Sequence, residues 1–419
     1  MPLPPKTVES LTARLNIACE NPTTTLPGVA VVVVDKNGKE LFAQTAGQRG
    51  LVSSEPMSLD TVFWIASCTK LVVGIAAMQL VEQGKLSLDN AKQVERICPE
   101  LGEELKVLRS DGGLEEKKRG ITLRMLLTHT AGFGYSFINP DIRDYSRPTG
   151  YDEFSGHFAD FKQPLVNQPG EVWEYGINID WVGILIERAT GQSLGAYLKE
   201  NIFDPLGLTN ISMIPSPELK ARLAYMHQRD KTGQIYVRDH LLQRALKLDY
   251  GNEREVNSFF MSGGAGCFST AQDYAQILST LLNNGTSPKT STRILHPSTI
   301  TTMFSNQIAH LPSLTEKHML SAKPPLIKAS TGLHPTIEGD RQGWGLTFLL
   351  SGGTTGRAMG TAQWSGLPNL RWWCDRENGI AGIICAQVLP FGDKMVFELA
   401  QDVERLVYGG LKEVVSSSL

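Results

Sequence analysis

What this sequence lacks narrows the field before any motif is read. Its 40 Lys and Arg stand against 43 Asp and Glu, a net charge of −3. With no basic excess to neutralise phosphates, nucleic-acid binding is a poor first reading. No run of about 18 apolar residues occurs, so no membrane-spanning helix is expected. The start, Met1-Pro2-Leu3-Pro4-Pro5-Lys6, has no apolar segment of the secretory kind, and a cytoplasmic location is expected. Cys19, Cys68, Cys98, Cys267, Cys374 and Cys385 have no C-x-x-C or Cys/His spacing. They read as free thiols in a reducing compartment rather than as disulfides or metal ligands. The eight His are dispersed, without zinc-ligand spacing, so no metal and no cofactor are expected. The tail Ser416-Ser417-Ser418-Leu419 distantly resembles a peroxisomal address but lacks the usual basic residue before its last position.

What is present is an ordinary globular composition, 41% apolar and 20% charged, too apolar for a largely disordered chain. The spacing predicts a helix over 7–20, then a β-branched strand Val29–Val34. An Asn37-Gly38 hairpin turn and a returning strand, Glu40–Ala46, follow. Helices are expected at Thr122–Thr130, stopped by Gly132, and at Ile179–Thr190, stopped by Gly191. A third, through Leu282, opens on a capping box at Ser269-Thr270-Ala271-Gln272. Strand-like segments fall at Trp344–Leu350, Met359–Ser365, Leu370–Cys374 and Ile380–Gln387, and a last helix at Lys394–Tyr408. Strands at both ends with helices between indicate an α+β fold. Residues 1–95 and 291–419 would form one discontinuous sheet domain. Residues 96–290 would be mostly helical, with the active site between the two. The segments 137–168 and 311–340 read as lids over a site or as mobile loops.

Chemistry concentrates at Phe63-Trp64-Ile65-Ala66-Ser67-Cys68-Thr69-Lys70. The apolar run Leu71–Met78 that follows reads as a buried helix. Ser67 and Lys70 stand three apart on one face at its start, and no other Ser in the chain has Lys at that spacing. Burial and the helix dipole both disfavour an ammonium there. The pKa of Lys70 should fall toward neutrality, which makes it a candidate base for Ser67. The plainer reading is a helix-capping Ser beside a Lys that reaches solvent. Tyr175, after the Pro169-Gly170 turn, is either a packing residue or a phenol sharing a proton network with Lys70 and Ser67. In the second case a neighbouring ammonium should lower its pKa. Gln363-Trp364-Ser365-Gly366-Leu367-Pro368-Asn369 is either a β-turn or a strand end supplying an oxyanion donor. His129 reads as structural. Cys68 points away from Ser67 by about a 100° turn of helix.

Together these stretches resemble the serine β-lactamase-like superfamily of penicillin-binding-protein fold. The matching runs are Ser67–Lys70, Leu126–Gly132, Pro169–Tyr175, Gly263–Tyr274 and Trp364-Ser365-Gly366. Within it the chain resembles family VIII esterases and the fungal lovastatin acyltransferase, through the 175–181 and 366–369 runs. The resemblance implies an antiparallel sheet flanked by helices, with a mostly helical insertion. It implies Ser67 as nucleophile, Lys70 as base and Tyr175 assisting proton transfer. The backbone N–H groups of Ser67 and Leu367 would form the oxyanion hole. It also implies acyl transfer from an ester or thioester to a small-molecule alcohol in secondary metabolism, with an acyl carrier protein of a polyketide synthase as a possible donor. Tyr135, Trp364, Ser365, Gly366 and Phe391 are the expected substrate contacts. Two departures count against β-lactam or peptide turnover. Ile177 stands where penicillin-recognising members usually have Asn, and Trp364 stands where they carry a cation. A hydrophobic acyl substrate fits better. Ester hydrolysis is the nearest alternative. A non-catalytic binding module would have no use for a desolvated Lys beside a Ser.

Overall fold

The computed structural model describes all residues except 1, 146–149, 250, 331, 332, 334, 336, 338, 418 and 419. The β-branched run forms β1 (Gly28–Asp35). Gly38, at φ +74°, makes the turn that returns the chain as β2 (Glu40–Gly47). Five strands from the other end complete the sheet: β3 (Gly343–Trp344), β4 (Leu349–Ser351), β5 (Thr361–Gly366), β6 (Leu370–Asp375) and β7 (Ile380–Cys385). Their order is β3-β4-β5-β6-β7-β1-β2, and every neighbouring pair is antiparallel. The helices that position the site are α1 (Pro5–Ala18), α2 (Thr69–Glu82), α3 (Leu123–Leu127), α4 (Asn178–Thr190), α5 (Ala271–Leu282) and α6 (Lys394–Ser417).

The period-two alternation of β1 explains the layers. Val29, Val31 and Val33 face one core with Leu11 and Leu15 of α1 and Val396, Leu399 and Val403 of α6. Ala30, Val32 and Val34 face the other, larger core with α5 and α2. Both faces are covered, so Gly28–Val34 is buried throughout. Every α2 residue from Thr69 to Leu80 is buried too. Its apolar side chains contribute about 2 kcal/mol each. Several of them together offset the cost of taking Lys70 out of water.

The helix at 178–190 ends at Gly191 in the left-handed region, φ +71°, as the sequence indicates. Three local expectations need correction. The helix expected over 122–130 is only Leu123–Leu127, capped by Thr122. It stops because His129 turns to φ +55° and its ring accepts hydrogen bonds from the 176–178 segment. The strand expected over 344–350 is broken, because its middle is hydrogen-bonded outside the sheet. Leu346 N–H donates to Met303 O at 3.0 Å and Thr347 N–H to Leu127 O at 3.0 Å. The cap of α5 is Thr270, accepting from Asp273 N–H, one residue later than the expected box. Ser269 instead belongs to a short strand beside Phe63 and Ile211. The last helix continues past Tyr408, and the Ser418-Leu419 end of the tail lies outside the described residues. The six cysteines form no disulfide. Among the described residues, no helix is long and apolar enough to cross a membrane.

Candidate active site

Backbone contacts set the position of Ser67. The short strand Phe63–Trp64 pairs with Phe268–Ser269. Ile65 N–H donates to Cys267 O at 3.0 Å, and Trp64 Nε1 to Ala265 O at 2.6 Å. Cys267 N–H donates back to Thr69 Oγ1 at 3.0 Å. These bonds fasten both sides of the nucleophile turn to the glycine loop at 263–266. Ala66 is held at φ +43°, a conformation costing an L-residue on the order of 1 kcal/mol. Ser67 follows in a single helical turn, Ala66–Cys68, that leads into α2. On the other side Gly366 closes the approach. A Cβ there would lie 2.6 Å from Ile65 O, so only glycine lets the end of β5 come so near.

Lys70 Nζ lies 3.0 Å from Ser67 Oγ, 3.1 Å from Tyr135 Oη and 2.8 Å from Gly264 O. Its side chain is 0% exposed. Burial pulls its pKa from 10.5 down to about 7, against the raising effect of Asp180. The lowered pKa expected from the sequence therefore has a geometric cause, enclosure away from water. Tyr175 corrects the companion expectation. Burial raises its phenol pKa, and its hydrogen bonds to Ser67 and Trp364 only partly counter that. Lys70 sits over the ring face, 4.8 Å from the centroid, so its charge is not placed against the hydroxyl. Tyr175 is thus a protonated phenol at neutral pH, able to donate. Its oxygen accepts from Trp364 Nε1 at 2.9 Å.

The remaining named residues separate into two groups. Tyr135, expected at the substrate, is 4% exposed and places its hydroxyl on Lys70 instead. His129 lies beneath Tyr175, with ring centroids 4.7 Å apart. Its Nδ1 faces Asn178 Nδ2 at 3.0 Å and Gly176 N at 3.4 Å, and burial holds its pKa well below 6.5. Two donors on Nδ1 put the proton of a neutral ring on Nε2. Burial also raises the Cys68 thiol pKa, which suits an inert side chain.

Trp364, Ser365, Gly366, Leu367 and Phe391 line a cavity of about 330 Å³ that opens on Ser67 and Tyr175. Phe137, Ile138, Met319, Ile327, Leu333 and Leu349 supply much of its apolar wall. Lys328, Arg371 and Lys394 also line it, and no carboxylate does among the described residues. Arg371 is 7% exposed, its guanidinium 4.3 Å from the ring centroid of Phe397. Its pKa is drawn down to about 10, first by burial and then by Arg357.

The wall at 319–330 comes from the segment read as a possible lid. Met319 and Ser330 form an antiparallel bridge. Lys323 Nζ reaches Ser136 Oγ at 2.8 Å, and Lys317 Nζ reaches Glu174 Oε2 at 3.1 Å. Sequence reasoning missed Asp180, Ser262 and Gly264, which surround the far side of Lys70. The only available signal was the membership of Asp180 and Gly264 in the matching 175–181 and 263–274 runs, and Ser262 lies just outside them.

Few chemistries use a hydroxyl hydrogen-bonded to a buried amine at the mouth of such a cavity. The class they define is the serine acyl-transfer enzymes. The chain belongs to the Beta-lactamase family, whose model matches residues 16–404. It is 31% identical over 407 residues to the lovastatin esterase of Penicillium rubens, covering 92% of this chain and 95% of that one. It is 32% identical over 406 residues to the monacolin J acid methylbutanoyltransferase of Aspergillus terreus, covering 91% and 92%. Among solved structures, a mutant of simvastatin synthase from Aspergillus terreus matches with a TM-score of 0.80 and 29% identity. That match covers 98% of this chain and 96% of the other. The fold is accordingly β-lactamase/transpeptidase-like, and the chain is a serine acyltransferase or esterase.

Proposed function

We propose that this chain moves an acyl group from an ester or thioester to a small-molecule alcohol, through an ester on Ser67. The observation that carries the reading is Ser67 Oγ at 3.0 Å from the Nζ of a fully buried Lys70. With a pKa of about 7, a substantial fraction of Lys70 is neutral near neutral pH. It takes the Ser67 proton as the Oγ–C bond forms. The N–H groups of Ser67 and Leu367 hold the developing oxyanion. Collapse breaks the C–S or C–O bond, and the leaving group takes the proton held by Lys70, directly or relayed through Tyr175, which leaves Lys70 neutral again. The acceptor alcohol then attacks the acyl-enzyme, gives its proton to Lys70, and Ser67 is released as the free hydroxyl.

The apolar wall suits a short, branched acyl chain. Two relatives are named for acting on acids, monacolin J acid and ML-236A carboxylate. Lys328, Arg371 and Lys394 would give an acceptor of that kind a positive end to meet. A carrier-protein thioester of secondary metabolism is the proposed donor, and the cytoplasm, where six free thiols stay reduced, the proposed location. Hydrolysis is the second reading, supported by the relative named lovastatin esterase.

Incubation with a panel of acyl thioesters, followed by intact-mass analysis, should reveal one acyl group on Ser67. Ser67→Ala should lose the adduct and at least about 1,000-fold in turnover. A wild-type adduct level in Ser67→Ala would reject the reading. Offering water against candidate alcohols then separates transferase from esterase.

A further inference from the structure

The hydrogen bonds through the site take their direction from the two ends of the chain of groups, Trp364 and an ionised Asp180, whose pKa burial raises while Lys70, Ser262 and the Gly264 N–H favour the ionised form. An indole N–H can only donate, and a carboxylate can only accept. Trp364 Nε1 donates to Tyr175 Oη at 2.9 Å, which leaves the Tyr175 proton for Ser67 Oγ. Ser67 then has its own proton to give to Lys70, 3.0 Å away. A neutral amine has two hydrogens and one lone pair. One hydrogen goes to Gly264 O at 2.8 Å, a pure acceptor. The lone pair stays free for Ser67 only if the other hydrogen goes to Tyr135 Oη at 3.1 Å. That in turn requires the Tyr135 proton to point elsewhere.

It points at Asp180. The Asp180 carboxylate lies beside the Tyr135 hydroxyl and helps hold its pKa up, and Asp180 Oδ2 is buried with no hydrogen-bond partner among the described residues, an acceptor open to that proton. A Cβ on Gly264 would lie 2.5 Å from Asp180 Oδ2 and 2.9 Å from Tyr135 Oη, so a bare glycine lets the two meet. Asp180 Oδ1 accepts from Ser262 Oγ at 2.5 Å and from Gly264 N–H at 3.0 Å. Ser262 Oγ in turn accepts from Ala265 N–H at 3.0 Å. Both N–H groups flanking the Gly264 carbonyl are thereby tied, which aims that carbonyl at Lys70.

We propose that Asp180 is a positioning residue for acylation: by accepting from Tyr135 and fixing the Gly264 peptide, it forces the lone pair of Lys70 to face Ser67. The inference rests on Ser67 and Lys70 acting as nucleophile and base. Lys70 is faced by Ser67 and Cys68 from its own turn, by His129 and Tyr135 from 129–135, by Tyr175 and Asp180 from 175–180, and by the Gly264 carbonyl. Asp180 is the one carboxylate among them.

Asp180→Asn keeps the shape and reverses the direction. Its oxygen takes the place of Oδ1, and its NH₂ donates to Tyr135, which must then donate to the Lys70 lone pair. The expected result is an acylation rate about 100-fold lower with an acyl thioester, and an acid limb of kcat/KM displaced to lower pH. Adding Tyr135→Phe should restore part of the lost rate, because the reversed bond can no longer form. A merely structural defect would leave the acid limb in place, and Tyr135→Phe would deepen the loss. Either result overturns the proposal. If Asp180→Asn fails to fold, Tyr135→Phe alone decides. A slowed acylation with unchanged KM supports the chain, and a wild-type rate overturns it. Persistence of the adduct in Ser67→Ala would instead break the underlying reading, independently of Asp180.

Discussion

The two sides of Ser67 are built differently. Behind it, α2, α4 and the glycine loop enclose Lys70, Tyr135, Asp180 and Ser262 in buried, hydrogen-bonded positions. In front, the cavity wall is drawn from loops and element ends, with Leu333 and Phe391 half-buried and Lys328 and Lys394 exposed. The difference separates the labour. In the function proposed above, the closed side sets proton positions and tolerates little change, while the open side selects substrate and can vary without disturbing the chemistry.

Substitutions on the two sides should therefore differ in kind. After loss of the nucleophile itself, the largest effect is expected at Tyr175, where the two sides meet. Tyr175→Phe keeps the ring under Lys70 but removes the protonated hydroxyl, and kcat should fall by about 10² to 10³. Single-turnover measurement of acylation and deacylation checks it, and a loss below tenfold would remove Tyr175 from the closed side's chemistry. A smaller effect, on stability, tests whether Lys70 is truly enclosed. Its pKa is about 7 when folded and near 10.5 when unfolded. Between those values the unfolded chain binds the extra proton, so stability rises with pH, by up to about 1.4 kcal/mol per pH unit. Urea titrations at pH 7.5 and 9.5 should show that rise in the wild type and a flatter dependence in Lys70→Met. Equal dependence in both would mean that Lys70 is open to water. The smallest effect is expected on the open side. Met319→Ala should alter kcat/KM by less than about tenfold and shift preference toward longer or bulkier acyl chains. A comparable loss for every chain length would blur the distinction between the sides.

Legibility in the sequence followed the same division. Ser67, Lys70, Tyr175 and Trp364 were readable because local spacing, an apolar helix and a turn mark each of them. The β1–β2 hairpin was readable from Asn37-Gly38, and α4 from Gly191, because each signal acts within a few residues. Asp180 was not readable. Its position in α4 looks like any acidic residue in a first turn, and only the fold brings it to Gly264, 84 positions away. The truncated α3 and the broken strand at 344–350 have the same origin. Distant partners take over groups that local pattern assigns to a helix or a ladder: the 176–178 donors hold the His129 ring beyond α3, and Met303 O and Leu127 O take the N–H groups of Leu346 and Thr347. The direction of the Tyr175 pKa also escaped, since burial of the phenol decides it, and the cation meets the ring face instead of the hydroxyl.

The pairing of β1 with β7 has a consequence for how the protein is made. Ala30–Asp35 leave the ribosome long before their partners, Ile380–Cys385, are translated. The centre of the sheet must therefore wait until all the chain between the two strands has been made. Until then the Val31–Val34 run is an unpaired edge, the kind of segment that chaperones cover. The nucleophile helix shares this delay, because α5 and β7 close the core beneath it. Reactivity at Ser67 should therefore arrive late in synthesis, and a prematurely released chain should carry the motif without the enzyme.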